Sequence, residues 1–159
     1  MRKVIIIICL LFFGCISSAT ASICEKISEN PVEGKFSVDC INAVLINYVT
    51  YKPWGFFIIS LSREENIYVQ GQKGPGNSFW FEAVGPSVTN ALDSKTVKSL
   101  LNLGWNLPTN NYINFDQIVQ IDEIFSEEAA KLVFETLESY NANPQKIIFE
   151  YQIADFFEY

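Results

Sequence analysis

The sequence predicts an α+β domain, with a mainly antiparallel sheet of about four to five strands packed against about three helices. Three observations carry this expectation. Apolar residues alternate in three early runs whose connections are too short for a crossover. Two other segments keep helical spacing behind residues suited to open a helix. The segments then follow in the order helix, three strands, helix, strand, helix, strand.

From Phe36 to Tyr51, the apolar residues Phe36, Cys40, Ala43, Val44, Ile46 and Tyr48 fall on one helical face. Lys52-Pro53 ends that helix, and Asn30 to Gly34 before it reads as a turn. In the run Gly55 to Ser62, Phe57, Ile59 and Leu61 share one face, while Phe56, Ile58, Ser60 and Ser62 share the other. The polar connection Arg63–Asn66 leads to a second strand, Ile67 to Gly71, with Ile67 and Val69 together. Lys73-Gly74-Pro75-Gly76-Asn77 is a turn signal, and beyond it Phe79, Phe81 and Ala83 alternate with Trp80, Glu82 and Val84.

Asp93 or Ser94 can cap the next helix, whose Val97, Leu100, Leu101 and Gly104 recur at helical spacing. Gly104 suits the left-handed position that stops a helix, and Pro108 prevents its resumption. Tyr112 to Ile121 alternates again, with Ile113, Phe115, Val119 and Ile121 on one side and only Gln117 breaking the pattern. Ser126, Glu127 and Glu128 open the strongest helix, acids at its positive end. Its apolar stripe is Ala130, Val133, Leu137 and Tyr140, widened by Phe134. Asn143-Pro144 ends it, and Lys146 to Ile153 reads as a last strand. An amphipathic helix over Lys146–Phe157 is the competing reading. Asn110, Asn111 and Asn114 read as a turn leading into the strand.

The first residues carry an export signal. Met1-Arg2-Lys3 is basic, Val4 to Ile16 is apolar, and Ala19-Thr20-Ala21 has the small-x-small pattern of a signal peptidase site. Cleavage after Ala21 is expected, leaving residues 22–159 as a single domain in the periplasm or outside the cell. A rival reading makes Phe12-Phe13-Gly14-Cys15 a lipoprotein box, with Cys15 as the lipidated residue. No later segment is apolar for the roughly 20 residues that a helical membrane span needs. Cleavage removes Cys9 and Cys15 and leaves Cys24 and Cys40. In an oxidising compartment an even pair favours a disulfide over two free thiols.

The whole chain carries a formal charge of −7, and loss of Arg2 and Lys3 makes the remainder more acidic. Without a basic patch, nucleic acid is not an expected partner, because its binding rests on cations at phosphates.

The chain has no histidine, which removes the commonest general base and metal ligand. Cys24 and Cys40 lack any zinc spacing, the acids near residue 122 lack calcium-loop spacing, and the glycines of 71–76 lie in a hairpin turn rather than a phosphate loop. No metal or cofactor is expected. Carboxylates are what remains for catalysis: a hydrolase would need Glu82 or Asp116 in a cleft with a raised pKa. The simpler reading places Glu82 on a solvated sheet face beside Trp80.

Aromatic residues make up 14% of the chain. By alternation Phe56, Tyr68 and Trp80 fall on the sheet face opposite the core, and with Trp105 and Tyr112 they are candidates for a surface that binds an extended peptide. Cover by a helix or by the N-terminal arm is the competing expectation. Trp105, just after Gly104, can also anchor the helix stop, its indole N–H meeting a nearby carbonyl.

Several of these stretches come in a suggestive order: YVQ (68–70), FEAVG (81–85), LLNLGW with Pro108 behind it (100–108), Asn114-Phe115, a helix near AAKLVFETLESY, and Asn143-Pro144. The set resembles the TY-Chap family, the YbjN-related domains likened to type III secretion chaperones, over roughly residues 55–159. The resemblance implies a secretion-chaperone-like α/β sandwich that binds proteins or peptides and performs no chemistry. Such chaperones act in the cytoplasm, whereas this chain carries an export signal, so their partners are not carried over. The leading expectation is thus an exported, non-enzymatic binding domain with a protein or peptide partner, which leaves a homodimer open. The alternatives are an immunity or inhibitor protein that blocks an enzyme or toxin and, third, the carboxylate hydrolase.

Overall fold

The computed structural model describes Cys24, residues 27–109 and residues 113–155. The export signal, Cys9, the lipoprotein reading of Cys15, and Asn110, Asn111 and Tyr112 lie outside the described residues. The elements are β1 (Val32–Glu33), α1 (Val38–Tyr51), β2 (Phe56–Ser62), β3 (Ile67–Lys73), β4 (Ser78–Ala83), α2 (Ser94–Asn102), β5 (Phe115–Gln120), α3 (Ile121–Phe125), α4 (Glu128–Ser139) and β6 (Glu150–Ala154), with a 3-10 turn at Pro144–Lys146. The class is α+β, as expected. Six strands form one sheet in the order β1-β6-β2-β3-β4-β5, and every pairing is antiparallel.

The β2–β3–β4 meander forms because alternation and turn chemistry agree. Asn66 and Gly76 take positive φ at the two connections, which asparagine and glycine tolerate best. Phe57, Ile59, Val69, Phe79, Phe81 and Ala83 then line one face, joined by Phe115 and Val119 of β5 and Tyr151 and Ile153 of β6, all buried. The helices pack on this face. Tyr48 of α1 meets Phe57 and Phe79 edge-on at 5.2 and 5.6 Å, and Phe134 of α4 stacks on Phe36 at 4.5 Å. No described helix is long and apolar enough to cross a membrane.

Cys24 and Cys40 are disulfide-bonded, tying the N-terminal arm to α1. The arm then runs along the sheet edge: the Ile153 N–H donates to the Ser28 carbonyl at 2.9 Å, and β1 pairs with β6. Asn30–Gly34 was expected as a turn. Two of its residues form β1 instead, because the open edge of β6 offers partners to any extended segment beside it.

Other expectations are corrected in detail. β5 ends at Gln120 and the short α3 follows. Its capping box has the Gln120 N–H donating to the Glu123 carboxylate. Ser126 therefore closes α3 rather than opening α4, which begins after Glu127 at φ 67°. Ile121 thus lies in a helix, and Ile113 is 61% exposed. Leu101 also points to solvent, since the buried side of α2 is Thr96 and Leu100. Val84, which alternation groups with Trp80 and Glu82, is fully buried; its N–H donates to the Tyr68 carbonyl at 3.2 Å, one position beyond the Val69–Ala83 pair. The last strand is β6, not a helix, but it starts at Glu150 because Pro144–Lys146 forms a 3-10 turn.

Two buried phenols brace the helices against the sheet. Tyr48 Oη donates to the Gly55 carbonyl at 3.0 Å and Tyr140 Oη to the Val84 carbonyl at 2.6 Å. Burial pushes the pKa of both above the ordinary tyrosine value of 10.0. Below that pH both are neutral in either state, and the stabilisation is complete. Above it the unfolded chain ionises first, so stability falls by up to about 1.4 kcal/mol per pH unit for each phenol. Urea midpoints measured at about pH 9 and about pH 11 will show this drop, and Tyr140→Phe will reduce it.

Candidate functional site: the open sheet face

Strand alternation places a second set of side chains on the face that carries no described helix. The registers align them in rows. One row runs Ala154, Phe56, Gln72, Trp80, Ile118, and the next runs Gln152, Ile58, Gln70, Glu82, Asp116. A third begins Glu150, Ser60, Tyr68. Phe56, Ile58, Tyr68 and Trp80 are half-buried, and Ile118 at the rim is 50% exposed.

Two shallow cavities divide this face. One of about 140 Å³ is lined by Phe56, Gln70, Gly71, Gln72, Trp80 and Glu82. A larger one of about 270 Å³ runs from Pro31 and Ile58 past Tyr68 to Gln152. Gln70 Nε2 donates to Glu82 Oε2 at 2.6 Å, which fixes both side chains beside the first cavity. At the second, Arg63 Nε pairs with Glu150 Oε2 at 2.7 Å. The lining is therefore apolar rings framed by amides and carboxylates, suited to apolar side chains on a polar backbone.

Both edges of the sheet are closed. On the β6 side the arm supplies the Ser28 carbonyl and β1, and the Gly34 N–H donates to the Phe149 carbonyl at 3.1 Å. On the β5 side the Asn106 N–H donates to the Asp116 carbonyl at 2.9 Å. The Gln120 N–H is taken by Glu123. Antiparallel pairing turns alternate residues outward, so mainly Ile118 is left between these two stops. An edge this short is a poor template for an added strand. The face is what can receive a ligand.

Of the five aromatic residues expected on this surface, Phe56, Tyr68 and Trp80 share it. Tyr112 lies outside the described residues. Trp105 does not belong to it: the residue is 2% exposed and sits in the core. The reason is local. Gly104 takes φ 92°, its N–H donates to the Leu101 carbonyl, and the Trp105 N–H donates to the Leu100 carbonyl, both at 3.1 Å. This is the Schellman stop, which carries the following residue back over its own helix. The indole Nε1–H donates to Thr136 Oγ1 of α4 at 2.8 Å, a hydroxyl rather than the carbonyl expected. Asn114 likewise does more than lead into a strand. It is buried, and its Oδ1 accepts the Gly85 N–H at 3.0 Å. A Cβ on Gly85 would stand 1.8 Å from the Ile113 carbonyl oxygen, so only glycine permits that close approach.

Ile58 was grouped with Phe56 by alternation. Gln70, Gln72 and Ile118 were not singled out, although counting by twos from Tyr68 and Trp80 reaches the glutamines. Glu82 and Asp116 are direct cross-strand neighbours on the same face. No cluster of three or more His, Cys, Asp or Glu able to hold a metal occurs among the described residues. No family model, no curated protein and no solved structure matches the chain.

Proposed function

We propose that this is an exported, non-enzymatic domain that binds proteins or peptides on the open sheet face. The observation that carries the reading is the row Phe56, Gln72, Trp80 and Ile118, beside Ile58 and Tyr68, on a sheet whose edges are both closed. Half-covered aromatic rings are rigid anchors that lose little conformational entropy on binding. The amides beside them can meet the backbone of an extended chain. The resemblance to the chaperone-like domains supports the same class of function.

Capture of partners from a periplasmic extract tests the reading, with Trp80→Ala as control. The variant is expected to lose at least about 30-fold in affinity, the effect of removing a central aromatic anchor. Reproducible capture that is indifferent to Trp80→Ala and Phe56→Ala would contradict it.

The adjacent carboxylates Glu82 and Asp116 support a second reading, an immunity protein that blocks a basic enzyme cleft. Such binding would weaken steeply with salt, whereas aromatic docking would not. Protection of cells against a toxin, lost in Glu82→Gln with Asp116→Asn, would decide for it.

A further inference from the structure

Resting on the binding-face reading, we propose that the cavity between Arg63 and Ile58 takes the C-terminal carboxylate of the bound peptide, whose last, apolar side chain lies against Ile58 and Pro31. The cavity stands at the end of the face where β2 turns into β3, and Arg63, Asn66, Tyr68 and Gln152 surround it. Glu150 holds Arg63 there. Its side chain is 18% exposed and meets Arg63 Nε at 2.7 Å. The guanidinium pairs with no other carboxylate among the described residues. That leaves its two terminal nitrogens for a carboxylate, which such a fork can bind through two parallel hydrogen bonds. An incoming anion is repelled by Glu150, and two donors offset this. The Tyr68 hydroxyl and the Gln152 amide line the same cavity, and neither is hydrogen-bonded among the described residues.

Charge along the face sets the direction of the ligand. Arg63 is the only cation among the residues that line the two cavities. Glu82 and Asp116, neighbours across β4 and β5, form no ion pair among the described residues. A negatively charged chain end is repelled from their side and drawn to Arg63.

Size and closure select a chain end rather than an acidic side chain in mid-chain. The cavity of about 270 Å³ is below the roughly 300–1,000 Å³ of a pocket that encloses a whole small ligand. It therefore holds the end of something longer. Two walls meet here: Pro31 of the arm on the β6 side, and the Arg63–Asn66 connection, closed by the Asn66 N–H on the Arg63 carbonyl at 3.2 Å. An extended chain running over Ile58 toward that connection has to stop or leave the sheet.

The test captures two pools of N-acetylated hexapeptides on the immobilised full chain. Both are randomised at five positions and end in leucine, one as free acids and the other as C-terminal amides. Free acids should be retained at least about ten-fold more strongly, the effect of a charge-assisted, two-pronged contact. Arg63→Gln should bring the acids down to the level of the amides. Arg63→Lys, which keeps the charge without the fork, should restore part of the preference. Because Arg63→Gln alone strands the Glu150 carboxylate, Arg63→Gln with Glu150→Gln is the matched variant and should behave the same. Equal retention of acids and amides would overturn the proposal, as would retention of neither pool. Equal retention that is lost in Trp80→Ala would leave the binding face standing without a carboxylate subsite. A third pool, amides with glutamate at the fifth position, held as firmly as the free acids would overturn the chain end in favour of an acidic side chain.

Discussion

Trp105→Ala lowers the unfolding free energy by about 4 kcal/mol, the cost of deleting a fully packed indole from a core. The residue sits where three constraints meet. Its backbone N–H closes the Schellman stop on the Leu100 carbonyl, its ring is buried, and its Nε1–H reaches Thr136 on α4. Removing the ring leaves a cavity and strands the Thr136 hydroxyl. It also frees the angle at which the chain leaves α2. Thr136→Val keeps the volume but takes away the acceptor, so a buried N–H is left unpaired at about 1–3 kcal/mol. Urea unfolding of the two single variants and the double variant measures the coupling. A loss below about 1 kcal/mol for Trp105→Ala would contradict the assignment of this residue to the core.

Breaking the Cys24–Cys40 bond by Cys24→Ser with Cys40→Ser costs about 3 kcal/mol, from loop-closure entropy over the 16-residue separation. The consequence is local as well as global. The bond holds the arm whose Ser28 carbonyl and β1 strand cover the edge of β6. The Ile153 amide should therefore exchange with solvent markedly faster in the variant, while amides of β3, in the middle of the sheet, follow only the global loss. An uncovered β6 edge also invites pairing between copies. Equal urea midpoints for the oxidised and cysteine-free proteins would contradict the structural role given to the bond.

The middle of the fold was legible because local and long-range signals agree there. Alternation sets the faces of β2, β3 and β4, and Asn66 and Gly76 supply the positive φ their turns require. The stop at Leu103-Gly104-Trp105 was legible for the same reason, since glycine at that position has a specific backbone use. Short elements were not. β1 has two residues and α3 five, too few for any periodicity, and β1 exists only because β6 lies beside it. The site was half legible. Parity placed Phe56, Tyr68 and Trp80 on one face, but parity does not say which side of the fold an aromatic on a connection will join. Trp105 follows its helix into the core through a bond to Thr136, 31 positions away. No local pattern contains that information.

Under the proposed function, one aromatic face binds and the other only holds the molecule together. The most direct measurement is a side-by-side titration of the captured partner into Trp80→Ala and Thr136→Val, with urea unfolding of both. Trp80→Ala should lose at least about 30-fold in affinity with a small change in stability. Thr136→Val should be destabilised by about 1–3 kcal/mol yet bind as the parent does. Wild-type affinity in a folded Trp80→Ala protein would contradict it.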